Sequence, residues 1–127
     1  MPRLAAAFAA AIATRDRARL IALLDDSIDF RAMTPRRIWE AHTPAGVAAI
    51  VLDNWFEEQD HIADVQMGEV EIIVDILRMT YQFDLETPSG EQRVEQTGYY
   101  RNLDGKIVWL RILCSGFRPL PEEPPAD

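Results

Sequence analysis

Four side chains in this sequence carry groups suited to acid–base chemistry on a small organic molecule: Asp29, Arg31, Glu95 and Tyr99. Asp29 and Arg31 stand two positions apart in an alternating stretch, so a strand there puts both on one face. In that position the guanidinium could hold an anionic or carbonyl oxygen, with Asp29 orienting it. A glutamate drawn partly out of water has a raised pKa and can pass a proton, which is the role open to Glu95. Tyr99 can donate to a carbonyl oxygen. The same charges have a plainer reading of equal weight, an ion-pair network joining Asp29, Arg31 and Glu95, with Arg93 and Arg78 close to Glu95 in the strand pattern.

Other chemistries find no residues. Cys114 is the single cysteine, so no internal disulfide forms, and a small hydrophobic role suits it best. His42 and His61 have no metal-ligand spacing to acids or to the cysteine, and no phosphate loop or nucleophile elbow occurs, so neither a metal nor a cofactor is expected. A net charge of −8 argues against nucleic acid as a partner. The alanine-rich start is quickly followed by Arg15, Asp16 and Arg17, so no signal peptide is expected there, and no apolar run could span a membrane. A cytoplasmic location follows as the expectation.

The elements that must position these side chains can be read from turns and alternation. With 127 residues, 48% apolar and 27% charged, the chain suits one soluble domain. Residues 77–117 predict three antiparallel strands joined by a turn at Thr87-Pro88-Ser89-Gly90 and a type I′ turn at Asp104-Gly105. Glu86 then faces Glu91 and Asp84 faces Arg93; across the second turn Tyr99 faces Leu110, Thr97 faces Ile112 and Glu95 faces Cys114. One face carries Arg78, Thr80, Gln82, Glu95, Thr97, Tyr99, Leu110, Ile112 and Cys114. The other carries Met79, Tyr81, Phe83, Val94, Tyr100, Trp109 and Leu113. Neither reads as a wet face, so both are expected to be covered.

Ahead of that stretch, residues 3–13 predict a helix with Leu4, Phe8 and Ile12 buried, and Asp16 caps a second helix over 17–24. A strand over 27–33 and a short extended segment at 38–40 follow. Thr43-Pro44 then opens a third helix reaching about residue 60, in which Trp55, like Trp39, is expected in the core or at a cavity lid. Residues 64–74 predict one long strand, bulged at Gly68. Residues 1–120 form the single domain, and the Pro- and acid-rich tail 121–127 is expected to be extended.

This order of elements resembles the nuclear transport factor 2-like superfamily, in particular its SnoaL-like branch. The similarity rests on Phe8-Ala9-Ala10-Ala11 with Asp16, on Leu23-Leu24-Asp25-Asp26-Ser27-Ile28, on Gly46 with Trp55-Phe56, and on Asp104-Gly105-Lys106-Ile107. The resemblance implies an α+β cystatin-like cone, with three N-terminal helices packed on a strongly curved, mainly antiparallel sheet that encloses a cavity. It makes the face with Thr80, Gln82 and Ile112 the cavity wall. Asp29, Arg31, Glu95 and Tyr99 are then the candidate catalytic groups, with Thr80, Gln82, Thr97, Leu110, Ile112, Trp39 and Trp55 lining a small-molecule site.

Set against ketosteroid isomerases, Arg31 falls where a carboxylate base belongs; set against limonene epoxide hydrolases, Thr80, Gln82 and Ile112 replace an arginine and two aspartates. Two functions stay open, a lyase, isomerase or hydrolase acting by acid–base chemistry, and a non-catalytic binding or dimeric assembly module. The resemblance also implies a homodimer through the outer sheet face, expected to carry Met79, Tyr81, Phe83, Tyr100, Trp109 and Leu113.

Overall fold

A computed structural model describes residues 2–119, and the tail expected to be extended lies outside the described residues. The first helix, α1 (Pro2–Ala13), buries Leu4, Phe8 and Ile12, the one-face spacing of an amphipathic helix. In α2 (Arg17–Ala22) the carboxylate of Asp16 accepts the Arg19 N–H, a side-chain N-cap. Thr43 caps α3 (Pro44–Ala48) in the same way through the Gly46 N–H. The third helix does not reach residue 60. It widens into a π-helical segment, Ala49–Asn54, where the Trp55 N–H reaches back to the Ile50 carbonyl and the Asn54 side-chain Nδ2 donates to the Ala49 carbonyl. Such widened turns re-aim the side chains beyond them, and here that side chain is Trp55.

The strands are β1 (Leu24–Thr34), β2 (Arg37–Ala41), β3 (His61–Met67), β4 (Glu71–Ile73), β5 (Ile76–Thr87), β6 (Gly90–Leu103), β7 (Lys106–Cys114) and β8 (Arg118–Pro119). They form one sheet in the order β2-β1-β7-β6-β5-β3, with β4 on β5 and β8 on β6. Only β1 and β7 run parallel. The single strand expected over 64–74 is two pieces. At the break the Gly68 N–H donates to the Thr80 carbonyl, and a Cβ on Gly68 would lie 2.1 Å from Thr80 Oγ1, so a side chain there would have to displace the Thr80 hydroxyl.

The first hairpin has the expected register, with Glu86 opposite Glu91 and Arg93 Nε 2.8 Å from Asp84 Oδ1. The second begins as expected, with Asp104 and Gly105 both at positive φ and Leu103 opposite Lys106. Then it departs. Asn102 faces Ile107 but Arg101 faces Trp109, so Val108 is an extra, bulged residue. Beyond it Tyr100 faces Leu110, Gly98 faces Ile112 and Gln96 faces Cys114, in place of Tyr99, Thr97 and Glu95. A one-residue slip moves a strand's whole side-chain set to the opposite face.

Burial explains the slip. A straight ladder would set Leu110 and Ile112 beside Glu95, Thr97 and Tyr99. With the bulge, Leu110 and Ile112 join Ile107, Met79, Tyr81, Phe83, Val94 and Tyr100 in a core that also holds Phe8, Ile12, Val51 and Phe56. Burying one such side chain is worth roughly 1.5–3 kcal/mol, and the two that the bulge turns inward outweigh the pairing lost at one bulge. Met79, Tyr81, Phe83 and Tyr100 are therefore buried on the inner face and are not available to a two-fold interface; of that expected set, only Trp109 and Leu113 are on the outer face. The outer face is not covered as expected: Met33, Ile38 and Leu113 are each more than half exposed on it. The curled sheet with its helices on the inner side is the expected α+β cone. Among the described residues no helix is long and apolar enough to cross a membrane.

Candidate functional site

Across the inner face, one polar line interrupts the apolar rows. Tyr81 on β5, Gln96 on β6 and Cys114 on β7 are successive cross-strand neighbours. The Tyr81 hydroxyl donates to Gln96 Oε1 at 2.6 Å, and Gln96 Nε2 donates to Cys114 Sγ at 3.4 Å. The sulfur also accepts the Gly116 N–H at 3.4 Å. Burial pushes the Tyr81 phenol well above its ordinary pKa, with the Cys114 charge adding to it, so the phenol stays protonated and acts as a donor.

The Cys114 end of this line opens into a pocket of about 180 Å³ at the mouth of the cone, lined by Thr34, Trp39, Asn54, Trp55, Phe56, Val94, Gln96, Cys114, Gly116 and Phe117. Each wall has a local cause. Trp39, on the short strand β2, donates its indole N–H to Thr34 Oγ1 at 2.8 Å and carries the Arg37 guanidinium 3.6 Å over its ring. Trp55 hangs from the end of the π-helical segment, and its Nε1 is buried with no hydrogen-bond partner. Phe117 closes the mouth by packing on Phe56, ring centroids 5.7 Å apart.

A strap after β7 seats Phe117. Gly116 has a φ of +75°, and a Cβ there would lie 2.8 Å from Pro35 Cγ, so only glycine fits the turn. The Ser115 N–H donates to the Glu95 carbonyl, its hydroxyl accepts the Glu95 N–H, and β8 then pairs with Gln92 and Arg93.

The pocket wall is aromatic and amide, with one thiol. No carboxylate, imidazole or amine lines it, and His42 and His61 are exposed elsewhere. Among the described residues no cluster of His, Cys, Asp and Glu could hold a metal ion. Such a wall can enclose and orient a small molecule by packing and hydrogen bonds, and Cys114 is the one acid–base side chain on it.

The eleven sequence-derived candidates divide three ways. Thr80, Gln82, Glu95 and Thr97 do come together, but around a shallow depression of about 350 Å³ on the outer face. Tyr99 is on that face too, opposite Arg78 and Arg111. Asp29 and Arg31 are also outside, on β1, which β7 separates from β6. Their charges are paired locally and not with Glu95. Arg31 meets Glu40 at 2.8 Å, Glu95 meets Arg118 at 3.0 Å, and Arg111 Nη1 lies 3.2 Å from Asp29 Oδ1. Arg111 gives that N–H to the carbonyls of Asp29 and Leu110, so it faces the carboxylate as an ion pair without an aligned hydrogen bond, and it holds the Asp29 pKa below its ordinary value.

Leu110 and Ile112 are inside but fully packed in the core. Trp39 and Trp55 line the pocket. Sequence reasoning missed Gln96, Cys114, Thr34 and Phe117 as pocket residues. The available signal was Gln96, one polar residue in the otherwise apolar row of Val94 and Tyr100.

The sequence matches no known protein-family profile and no curated protein. Solved structures do match. A limonene epoxide hydrolase-like epoxide hydrolase from Mycobacterium tuberculosis is 14% identical with a TM-score of 0.68, over 90% of this chain and 81% of its own. A protein of ketosteroid isomerase-like fold from Catenulispora acidiphila, solved with trimethylamine, is 13% identical with a TM-score of 0.71, over 91% and 87%. A nuclear transport factor 2-like protein from Burkholderia thailandensis is 14% identical with a TM-score of 0.68, over 89% and 88%. At these identities what is shared is the fold.

Proposed function

Given a chain with the nuclear transport factor 2-like fold, we propose that it is a non-catalytic small-molecule-binding module whose site is the pocket between Trp39, Trp55, Gln96, Cys114 and Phe117. One observation carries this: the pocket combines aromatic walls with convergent hydrogen-bonding groups and has no titratable acid–base pair. The epoxide hydrolase and isomerase-like names belong to the neighbouring structures. The rival reading, lyase, isomerase or hydrolase chemistry by Asp29, Arg31, Glu95 and Tyr99, is weakened by their position on the outer face, with the three charged groups in local ion pairs.

A thermal-shift screen of compact neutral, cationic and anionic compounds tests the reading. A ligand that binds only the folded chain raises the melting temperature, and the rise should vanish in Cys114→Trp, which fills the pocket. Turnover of a ketone or epoxide that is lost in Glu95→Gln would refute it.

A second reading, two-fold self-association, draws on a different observation. Ile38, Met33 and Leu113, 67%, 51% and 52% exposed, stand side by side across β2, β1 and β7 on the outer face. An apolar row of this kind suits an isologous contact. Sedimentation velocity should show a dimer that Leu113→Lys converts to monomer; a monomeric parent at micromolar concentration ends this reading.

A further inference from the structure

Beside the mouth pocket, and sharing Asn54, Trp55 and Phe117 with it, lies a second recess of about 400 Å³. One wall comes from the β5–β6 turn and from Gln92 on β6. The other is the turn 57–60 that follows the π-helical segment, closed by the Asp60 N–H on the Glu57 carbonyl at 3.0 Å. Glu57 and Asp60 both line the recess, and no arginine, lysine or histidine does. Glu57 is exposed, an ordinary solvated acid. Asp60 is only 8% exposed. Its Oδ2 accepts the Glu57 N–H at 2.9 Å, while among the described residues no hydrogen bond reaches Oδ1. Among those residues the side-chain polar atoms both sealed off and unpaired belong to Asp29 and Trp55, so Asp60 Oδ1 keeps open surface. Arg15 gives Nη2 to the backbone carbonyls of Glu57 and Asp60, at 2.9 and 2.6 Å, and pairs with neither carboxylate. Among the described residues neither acid has an ion-pair partner. A carboxylate drawn this far out of water without a counter-charge is costly, and such groups are normally paired. We propose that this recess is a second site, for a small organic cation whose primary ammonium donates to Asp60 Oδ1.

The site stands whether or not the mouth pocket holds a ligand, and its walls select the chemistry. An ammonium supplies both a donor and the missing positive charge; a neutral alcohol supplies only the donor, and an anion would meet two carboxylates. Trp55 and Phe117 offer apolar surface for the carbon frame, and aromatic faces attract cations. Two carboxylates fall short of a metal site: among the described residues no three His, Cys, Asp or Glu side chains stand close enough to hold an ion. At about 400 Å³ the recess lies within the roughly 300–1,000 Å³ of ordinary small-molecule sites, room for one ring and its ammonium group.

The test titrates the full chain with benzylammonium and with benzyl alcohol, a neutral donor of the same shape, by calorimetry and by assigned ¹H–¹⁵N spectra. The amine should bind about tenfold tighter, the margin of a charge-assisted hydrogen bond over a neutral one. It should move the backbone amides of Ser89 and Gln92, which line the recess and not the mouth pocket, and leave those of Thr34 and Cys114, which line the mouth pocket and not the recess. Asp60→Asn keeps an acceptor for the Glu57 N–H, so it should fold and bind the two probes alike. In the ¹³C-labelled parent, the Asp60 carboxyl resonance should move with the amine and not with the alcohol, a readout that does not depend on the variant folding. Equal binding of the two probes by the parent, or amine binding undiminished in Asp60→Asn, overturns the cation inference. Shifts confined to Thr34 and Cys114 put the amine in the mouth pocket and overturn the second site while leaving the first. Absence of binding by either probe overturns the second site outright.

Discussion

Replacing Tyr81 by phenylalanine removes one oxygen from the dry end of the Tyr81–Gln96–Cys114 line and changes no shape. The 2.6 Å hydrogen bond to Gln96 Oε1 is lost, and that oxygen is left without a donor in a side chain only 3% exposed. The cost is the desolvation of an unpaired buried acceptor, about 1–3 kcal/mol. For a domain of this size, 1 kcal/mol moves the melting temperature by about 4 °C, so a fall of roughly 8 °C is expected. Replacing both partners, Tyr81→Phe with Gln96→Leu, should recover most of the loss, because an apolar pair leaves nothing unsatisfied.

Differential scanning calorimetry across pH supplies a second arm. The folded-state pKa of Tyr81 is raised above its ordinary value of 10.0. Its neutral form therefore contributes stability that is fully present below that value and is lost as pH climbs above it toward the folded-state pKa. The parent should weaken on the alkaline side and Tyr81→Phe should weaken less. Some alkaline loss persists because burial also raises Tyr100. A variant as stable as the parent, with the same alkaline limb, would refute the reasoning by showing that water reaches this hydroxyl in the folded chain.

Two further substitutions probe the faces. Glu95→Gln breaks a pair with Arg118 in which both side chains are about half exposed; such pairs contribute about 0.5 kcal/mol or less, so urea denaturation should barely move and ligand binding should be unchanged. A loss of roughly 3 kcal/mol would mean that Glu95 is a buried partner after all. Deleting Val108 removes the bulge while keeping Arg101 opposite Trp109 and every pair beyond it, so the shortened chain should still give native-like circular dichroism and a cooperative melt. Deleting Arg111 should abolish folding, since it turns Ile112 outward and Leu113 inward. Failure of both deletions alike would show that the bulge itself is required.

What was local in cause was legible in the sequence. Asp104-Gly105 reverses the chain because both residues accept positive φ, and Asp16 and Thr43 cap their helices because a side-chain oxygen lies within reach of a free N–H. The pairing of Asp84 with Arg93 followed from counting outward from the first turn. The order of elements then identified the cone. Two pocket residues, Trp39 and Trp55, could be placed only in the core or at a cavity lid, because large aromatic rings find one or the other.

Which face became the cone's interior was decided only by tertiary structure. Counting outward from Asp104-Gly105 assumes an unbroken ladder, and nothing within a few residues of Val108 requires a bulge. Its cause is distant. Leu110 and Ile112 must join Met79 and Phe83 under Phe8, Ile12 and Phe56, residues brought together by the whole fold. That single slip exchanged the expected wall of Thr80, Gln82, Glu95, Thr97 and Tyr99 for one carrying Tyr81, Gln96 and Cys114. Alternation along a strand states that two faces differ; burial of the larger apolar set, summed over every element that covers it, states which one is inside.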